Sequence, residues 1–217
     1  VMGHDTPVSE DHYFSADPTV AFTRTTVDID VWGHHLTLAT GSGVFAQGRL
    51  DIGTSVLLRE CEPPGPGRYL DLGCGWGVIG LAIAVAQPEA VVDAVDVNER
   101  AVLLASENAA ALGVENRYVA STRLPAAQYD EIWSNPPIRI GKQALHELLL
   151  TWLPTLKPGG RMLSVVGKNL GADSLAGWLT NQGYPTTKLH SAKGFRILST
   201  RAGLGSDEHA PPSPDAR

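Results

Sequence analysis

Beyond residue 67 the chain alternates between short apolar runs and longer segments of helical periodicity, and this alternation restricts the possible folds more than any other feature. We predict strands at residues 68–72, 91–95, 117–120, 131–134 and 162–166, with a closing antiparallel pair at 185–190 and 195–200. We predict helices at residues 78–86, 98–112, 142–153 and 174–181. The expected fold class is therefore α/β, with a largely parallel sheet covered by helices on both faces.

The residues before this alternation predict a small N-terminal cap. Residues 20–31 and 35–40 suggest the two strands of a β-hairpin, and residues 54–62 suggest a helix. The proline and glycine cluster at residues 63–67 ends that helix and is the one internal boundary that the sequence indicates. The expected division is a disordered tail at 1–11, the cap at 12–62, the main body at 63–201 and a second disordered tail at 202–217.

Size and composition favour one soluble cytoplasmic domain. With 217 residues, 43% of them hydrophobic, the chain can bury a single sizeable core. No apolar run approaches the length of a membrane span, and no signal pattern opens the sequence. Cys61 in a predicted helix and Cys74 in a glycine-rich loop are not expected to pair, which favours a reducing compartment. No Cys/His cluster has metal-ligand spacing, and His34-His35 fits a polar hairpin tip better, so no metal is expected.

A glycine-rich loop, residues 71–77 (DLGCGWG), follows the first strand of the main body. In an open α/β sheet, ligands bind beyond the carboxyl ends of the strands. The glycines at 73, 75 and 77 let the backbone approach the amino-acid part of a cofactor, and the next helix offers free N–H groups to a carboxylate. Asp96 ends the next strand, where it can accept hydrogen bonds from both ribose hydroxyls. Val97 and Asn98 would line the base and ribose edge, and Asn98 would also cap the following helix.

The glycine loop has two alternative roles. The first is binding of a dinucleotide, whose fingerprint would require glycine at position 78, which is Val78. A pyrophosphate would also be badly placed beside the negative charge of Asp71. The second is a purely structural glycine turn.

A second motif, Asn135-Pro136-Pro137-Ile138, follows the strand at 131–134. If Asn135 Oδ1 and the Pro136 carbonyl each accept one N–H of a planar amino group, the lone pair of that nitrogen turns towards a methyl donor. The two prolines fix the backbone that carries both acceptors. S-adenosylmethionine carries an activated methyl group, so the protein would supply position and hydrogen bonds, and S-adenosylhomocysteine would be the product. A proline turn that merely ends a strand is the alternative.

The charge distribution suggests an anionic partner. Residues 1–138 hold 7 Lys/Arg and 18 Asp/Glu, a net charge of −11, whereas residues 139–201 hold 9 and 2, a net charge of +7. Residues 202–217 hold 1 and 3, so the three segments add to the total of −6. A basic segment directly after the Asn-Pro-Pro turn favours an RNA substrate, although chance clustering on a solvated face gives the same counts.

These motifs resemble the small-domain class I methyltransferases, in particular 16S rRNA guanine-N2 methyltransferases and their single-domain archaeal and actinobacterial relatives. The resemblance covers about residues 12–201 and rests on the glycine loop, Asp96, the Asn-Pro-Pro turn and residues 43–54. It implies a Rossmann-like fold with a seven-stranded sheet whose last strand runs antiparallel between its neighbours. It also implies that Phe45 and Thr54 close over the cofactor.

Two positions depart from this family. Many amino-methyltransferases place an aromatic residue after the prolines to stack on the base, whereas this chain has Ile138 followed by Arg139, so stacking would fall to Phe14 or Phe195. Relatives often carry Asp after the third strand of the sheet for the adenine amino group, and Ser121-Thr122 stands there instead.

The resulting site prediction has three parts. The catalytic group is Asn135, Pro136 and Pro137. The cofactor group is Phe45, Thr54, Asp71, Gly73, Cys74, Gly75, Gly77, Asp96, Val97, Asn98, Ser121, Thr122 and Asn135. The substrate group is Phe14, Ile138, Arg139, Lys142, Lys168, Lys193, Phe195 and Arg196.

The leading functional hypothesis is methylation of rRNA at guanine N2, with RNA or a ribosomal subunit as partner. A protein glutamine-N5 methyltransferase, a small-molecule or DNA amino-methyltransferase and a non-catalytic RNA chaperone are the alternatives.

Overall fold

The computed structural model describes residues 23–46, 48–124, 126–137 and 140–203. The strands are β1 (Arg24–Val31), β2 (His34–Gly41), β3 (Gly67–Leu72), β4 (Ala90–Val95), β5 (Tyr118–Ser121), β6 (Tyr129–Ser134), β7 (Leu156–Gly167), β8 (Thr186–Ala192) and β9 (Phe195–Arg201). The α-helices are α1 (Ile52–Glu60), α2 (Val78–Ala86), α3 (Glu99–Ala111), α4 (Lys142–Trp152) and α5 (Ala172–Asn181). In the described part of the chain, none of these helices combines the length and the apolar character needed to span a membrane.

The strands form a hairpin and one large sheet. β1 pairs with β2, and the other seven strands lie in the order β5-β4-β3-β6-β7-β9-β8. Neighbours from β5 to β7 are parallel, whereas β9 is antiparallel to both β7 and β8. The expected α/β class, the Rossmann-like seven-stranded sheet, the inserted antiparallel last strand and the preceding hairpin are all confirmed.

The sheet buries a hydrophobic core on each face because neighbouring residues of a strand point to opposite sides. Trp133 of β6 joins the core formed with α1, α2, α3 and the hairpin, whereas the adjacent Ile132 joins the core formed with α4 and α5. Ile29 and Leu36 of the hairpin belong to the first of these cores. The hairpin therefore packs as part of the main body, and the proposed boundary at residues 63–67 stays a prediction.

The N-terminal segment differs from its sequence-based assignment at two boundaries. α1 begins at Ile52 rather than at residue 54, because the Asp51 carboxylate accepts the Thr54 N–H at 3.0 Å and caps the helix. Cys61 lies just beyond the end of α1 and not within it. The hairpin turns at Trp32 and Gly33, with φ of 48° and 81°, so that the histidine pair begins β2.

β7 was predicted to begin at residue 162 but starts at Leu156. The added residues include Pro158-Gly159-Gly160, and proline and glycine are uncommon within a strand. The structure accommodates them in an irregular stretch, since Tyr129 of β6 pairs with Leu156 and Glu131 pairs with Arg161.

Candidate active site

The parallel strands place the predicted motifs along one edge of the sheet. The glycine loop follows β3, Asp96 follows β4 and Asn135 follows β6. The hydroxyl of Ser134 donates to the carbonyl of Leu72 at 2.8 Å, which ties the ends of β6 and β3 together. The two motifs are therefore neighbours, although about sixty residues separate them in sequence.

The glycine loop is fastened to β4 through its backbone. The N–H groups of Gly73 and Cys74 donate to the Val95 carbonyl at 2.8 and 3.0 Å. Gly73, Gly75 and Gly77 have φ of 74°, 53° and 95°, in the left-handed region that favours glycine.

The first two glycines face open space, whereas the third is packed tightly. A methyl group added at Gly75 would meet no heavy atom within 4 Å, and one at Gly73 would meet only Pro137 Cδ at 3.9 Å. A methyl group at Gly77 would lie 2.8 Å from Leu81 Cδ1 and 2.9 Å from Tyr118 Oη. The backbone of Gly73 and Gly75 therefore borders open space, which we call the cradle. A cofactor that lies beside the backbone requires such a space.

Asp96 is held by backbone N–H groups at the rim of this cradle. Its Oδ2 accepts the Gly75 N–H at 2.8 Å, and its Oδ1 accepts the Asn98 N–H at 2.9 Å. Burial raises the pKa of this carboxyl, and those two N–H groups oppose the increase. Because each carboxylate oxygen has a second lone pair, the side chain keeps acceptors for ribose hydroxyls.

Asp71 lies beneath the loop, with only 1% of its surface exposed. Its Oδ2 accepts the Gly80 N–H of α2 at 2.8 Å, and Oδ1 has no hydrogen-bond partner among the described residues. Burial raises the pKa of Asp71 to about 7; the Gly80 N–H opposes that increase and the charge of Asp96 adds to it. Cys74 is also buried, which raises the pKa of its thiol well above the ordinary value. The side chains of Asp71 and Cys74 are therefore part of the buried interior that the glycine loop covers.

Two hydrogen bonds fix the segment that carries Phe45 against the cofactor motifs. The indole Nε1 of Trp76 donates to the Phe45 carbonyl at 3.1 Å, and Asn98 Nδ2 donates to the Gly43 carbonyl at 2.9 Å. The side chains of Phe45 and Val97 remain exposed at 48% and 64%. Both side chains offer exposed apolar surface, and their contact with a cofactor stays a prediction. Trp76 was missed because only its glycine neighbours had a recognised role.

Asn135 is oriented by residues at the start of α1. Its Nδ2 donates to Asp51 Oδ2 at 2.7 Å and to Thr54 Oγ1 at 3.0 Å. Phe195 lies in the same cluster, since a methyl group on Gly53 would be 3.1 Å from Phe195 Cε1 and 3.3 Å from Asn135 Oδ1. The hydroxyl of Thr54 accepts from the Asn135 amide, and its closing over the cofactor, which the resemblance implies, stays a prediction. Asp51 was missed, although an acidic residue before a helix start is a signal for a cap.

The remaining predicted cofactor residues have local partners or lie at the surface. Asn98 caps α3 by accepting the N–H groups of Arg100 and Ala101. The Ser121 hydroxyl donates to the Arg123 carbonyl at 2.6 Å and accepts the Arg123 N–H at 3.1 Å. Thr122 is exposed. Whether these residues contact a cofactor stays a prediction.

The predicted substrate residues within the described segments lie at the same edge of the sheet. Lys142 begins α4 after the Asn-Pro-Pro turn, and the Lys168 N–H, after β7, donates to the Gly194 carbonyl at 2.8 Å. Lys142, Lys168 and Lys193 are exposed. Arg196 instead forms an ion pair with Asp173 at 2.7 Å, so its charge is already partnered.

Three further predictions, on Phe14, Ile138 and Arg139, fall outside the described residues.

The large sheet has the strand order β5-β4-β3-β6-β7-β9-β8. A glycine loop follows β3, an acidic residue follows β4 and an Asn-Pro-Pro turn follows β6. Together these features define a class I S-adenosylmethionine-dependent methyltransferase. The family described as "Methyltransferase small domain" matches residues 35–199, and the chain belongs to that family. It is therefore an enzyme that uses S-adenosylmethionine as its methyl donor.

Individual relatives agree with this assignment. The chain is 32% identical over 197 residues to YbxB of Bacillus subtilis, an uncharacterized protein, covering 88% of this chain and 98% of YbxB. It is 39% identical over 141 residues to ribosomal RNA small subunit methyltransferase C of Hahella chejuensis, covering 62% of this chain but only 41% of that protein. The fold is similar to that of the T. thermophilus 16S rRNA N2 methyltransferase RsmC in complex with AdoMet and guanosine, with a TM-score of 0.68, 21% identity, and coverage of 86% of this chain and 52% of that one.

Proposed function

We propose that this enzyme methylates the exocyclic N2 amino group of a guanine in small-subunit ribosomal RNA. The observation that carries the proposal is the orientation of Asn135. Its Nδ2 is engaged by Asp51 and Thr54, so Oδ1 is the end of the amide available to a substrate. An acceptor at this place suits a substrate that offers N–H donors, as an amino group does.

The proposed chemistry requires position more than acid or base strength. S-adenosylmethionine, when bound, supplies a methyl group on a sulfonium that leaves as a neutral thioether. Asn135 Oδ1 accepts one N–H of the amino group and draws its lone pair out of conjugation with the ring. With the cofactor held beside Gly73, Gly75 and Asp96, this lone pair would be directed at the methyl group that the sulfonium supplies, and the nitrogen would then release its extra proton to solvent.

The choice of RNA over protein rests on charge and on the named relatives. Lys142, Lys168 and Lys193 are exposed at the same sheet edge as Asn135, where they suit phosphates. Relatives named ribosomal RNA small subunit methyltransferase C match this chain at 34–39% identity, although it spans less than half of their length.

The residues that we propose for cofactor contact are those of the cradle, Asp96, Phe45 and Val97.

The test is methyl transfer from labelled S-adenosylmethionine to small ribosomal subunits, to protein-free 16S rRNA and to ribosomal proteins. The RNA is then digested to nucleosides. We expect label in N2-methylguanosine and a rate of labelling lowered on the order of a hundredfold or more with an Asn135→Ala variant. Label in glutamine of a protein, or in a different nucleoside, would contradict the proposal.

A further inference from the structure

We propose that Asp51 is a positioning residue that fixes the amide of Asn135 in the orientation needed for methyl transfer. This inference rests on the proposed N-methylation. Asp51 lies 84 residues from Asn135 in sequence, and its Oδ2 accepts the Asn135 Nδ2–H at 2.7 Å. Thr54 Oγ1 accepts from the same nitrogen at 3.0 Å.

The orientation matters because the two ends of an amide are nearly equal in shape but opposite in hydrogen bonding. Rotated by half a turn, Asn135 would present N–H donors to a substrate amino group that is itself a donor. An ionised carboxylate only accepts hydrogen bonds, so Asp51 is compatible with one orientation alone. The charge of Asp51 also strengthens this bond and polarises the amide towards a more electron-rich Oδ1.

The surrounding atoms hold Asp51 in contact with Asn135. Asp51 is anchored because its Oδ2 also accepts the Thr54 N–H at 3.0 Å as the N-cap of α1. Gly53 leaves no spare room, since a methyl group there would lie 3.0 Å from Asp51 Oδ2 and 3.1 Å from Phe195 Cε1. Asp51 therefore has two separable roles: it caps α1 and it orients Asn135.

An Asp51→Ser variant separates these roles. Serine is also a preferred N-cap and can accept the Thr54 N–H, but its side chain is too short to reach Asn135. We expect unchanged affinity for S-adenosylhomocysteine and a single-turnover rate lowered about tenfold to a hundredfold, the factor that one charge-assisted hydrogen bond supplies. Asp28→Ser removes an exposed carboxylate of the hairpin and should leave the rate unchanged. A parental rate in Asp51→Ser would overturn the inference.

A double-mutant cycle provides a second test. If Asp51 acts through the Asn135 amide, Asp51→Ser should slow transfer about tenfold or more in the parent but add no further loss in an Asn135→Ala background. An equal loss in both backgrounds would show that Asp51 acts independently of Asn135 and would refute the orienting role.

A readout without substrate separates this inference from the proposed function. The side-chain amide protons of Asn135, assigned by NMR with the Asn135→Ala variant, should exchange slowly in the parent and faster in Asp51→Ser. If the parent methylates no RNA, the proposed function fails, yet this difference in exchange still supports the orienting contact. Equal exchange in both proteins would overturn that contact whatever the substrate.

Discussion

Replacing Asp71 by asparagine should change the way in which the stability of this protein depends on pH. The carboxyl is buried beneath the glycine loop, and its pKa in the folded protein is about 7 instead of 3.8. Between these two values the unfolded chain releases a proton that the folded protein retains. Stability therefore falls as pH rises from about 4 to about 7, and the loss is complete above pH 7.

The size of this effect follows from the two pKa values. One pH unit is worth about 1.4 kcal/mol, so the interval from 3.8 to about 7 corresponds to at most about 4 kcal/mol. Asp71→Asn keeps an acceptor for the Gly80 N–H but cannot ionise. The free energy of unfolding of the variant, minus that of the parent, should rise by up to this amount across the interval and then level off.

Urea unfolding at half-unit steps from pH 4.5 to pH 8 measures that difference. Asp130→Asn is a matched control of opposite sign, because the Arg68 N–H and Lys157 hold the pKa of Asp130 below its ordinary value. The free energy of unfolding of Asp130→Asn, minus that of the parent, should be constant between pH 5 and pH 8. The size of this difference should shrink only in more acidic solution. If the free energy of unfolding of Asp71→Asn, relative to the parent, were equally constant over this pH range, burial would not raise the pKa of Asp71 and the argument would be refuted.

Three more outcomes test the site. Asp96→Ala should weaken S-adenosylhomocysteine binding by about 1.5–3 kcal/mol in calorimetric titration, because a charge-assisted contact to the ribose is lost; unchanged affinity would remove Asp96 from the cofactor site. Asn135→Ala should lower the single-turnover rate on the order of a hundredfold or more with cofactor affinity retained, and substantial remaining activity would make the turn structural. Lys168→Ala and Lys193→Ala should each reduce the slope of log affinity for RNA against log salt by roughly one, whereas unaltered slopes would place the RNA elsewhere.

The sequence was most informative where the structural signal is local. The glycines at 73, 75 and 77 identified a loop whose backbone a ligand can approach, and the structure shows positive φ at all three. The alternation of elements predicted parallel strands. Asn98 was recognised as the cap of α3 because its neighbours in sequence are the groups that it caps. The position of β9 between β7 and β8 came from resemblance, since periodicity alone does not order the strands of a sheet.

Contacts between distant segments were not predictable in the same way. Trp76 bonds the Phe45 carbonyl across 31 residues, and Asp51 meets Asn135 across 84. Neither pair has a local pattern, because each depends on which loops the sheet order brings together. The basic segment was overestimated for a related reason: Lys157, Arg161 and Arg196 form ion pairs with acidic residues, so the charge count overstates what can face RNA.

The start of α1 links folding to chemistry in this enzyme. Glycine in a helix costs about 0.5–1 kcal/mol relative to alanine, yet Gly53 occupies the first turn. An alanine there would place its methyl group 3.0–3.3 Å from Asp51, Phe195 and Asn135, closer than ordinary van der Waals contact. The missing side chain thus lets one carboxylate reach both the Thr54 N–H and the Asn135 amide. Because both bonds share Asp51 Oδ2, loosening the first turn of α1 would also release the Asn135 amide, and the orientation proposed for Asn135 depends on the start of this helix.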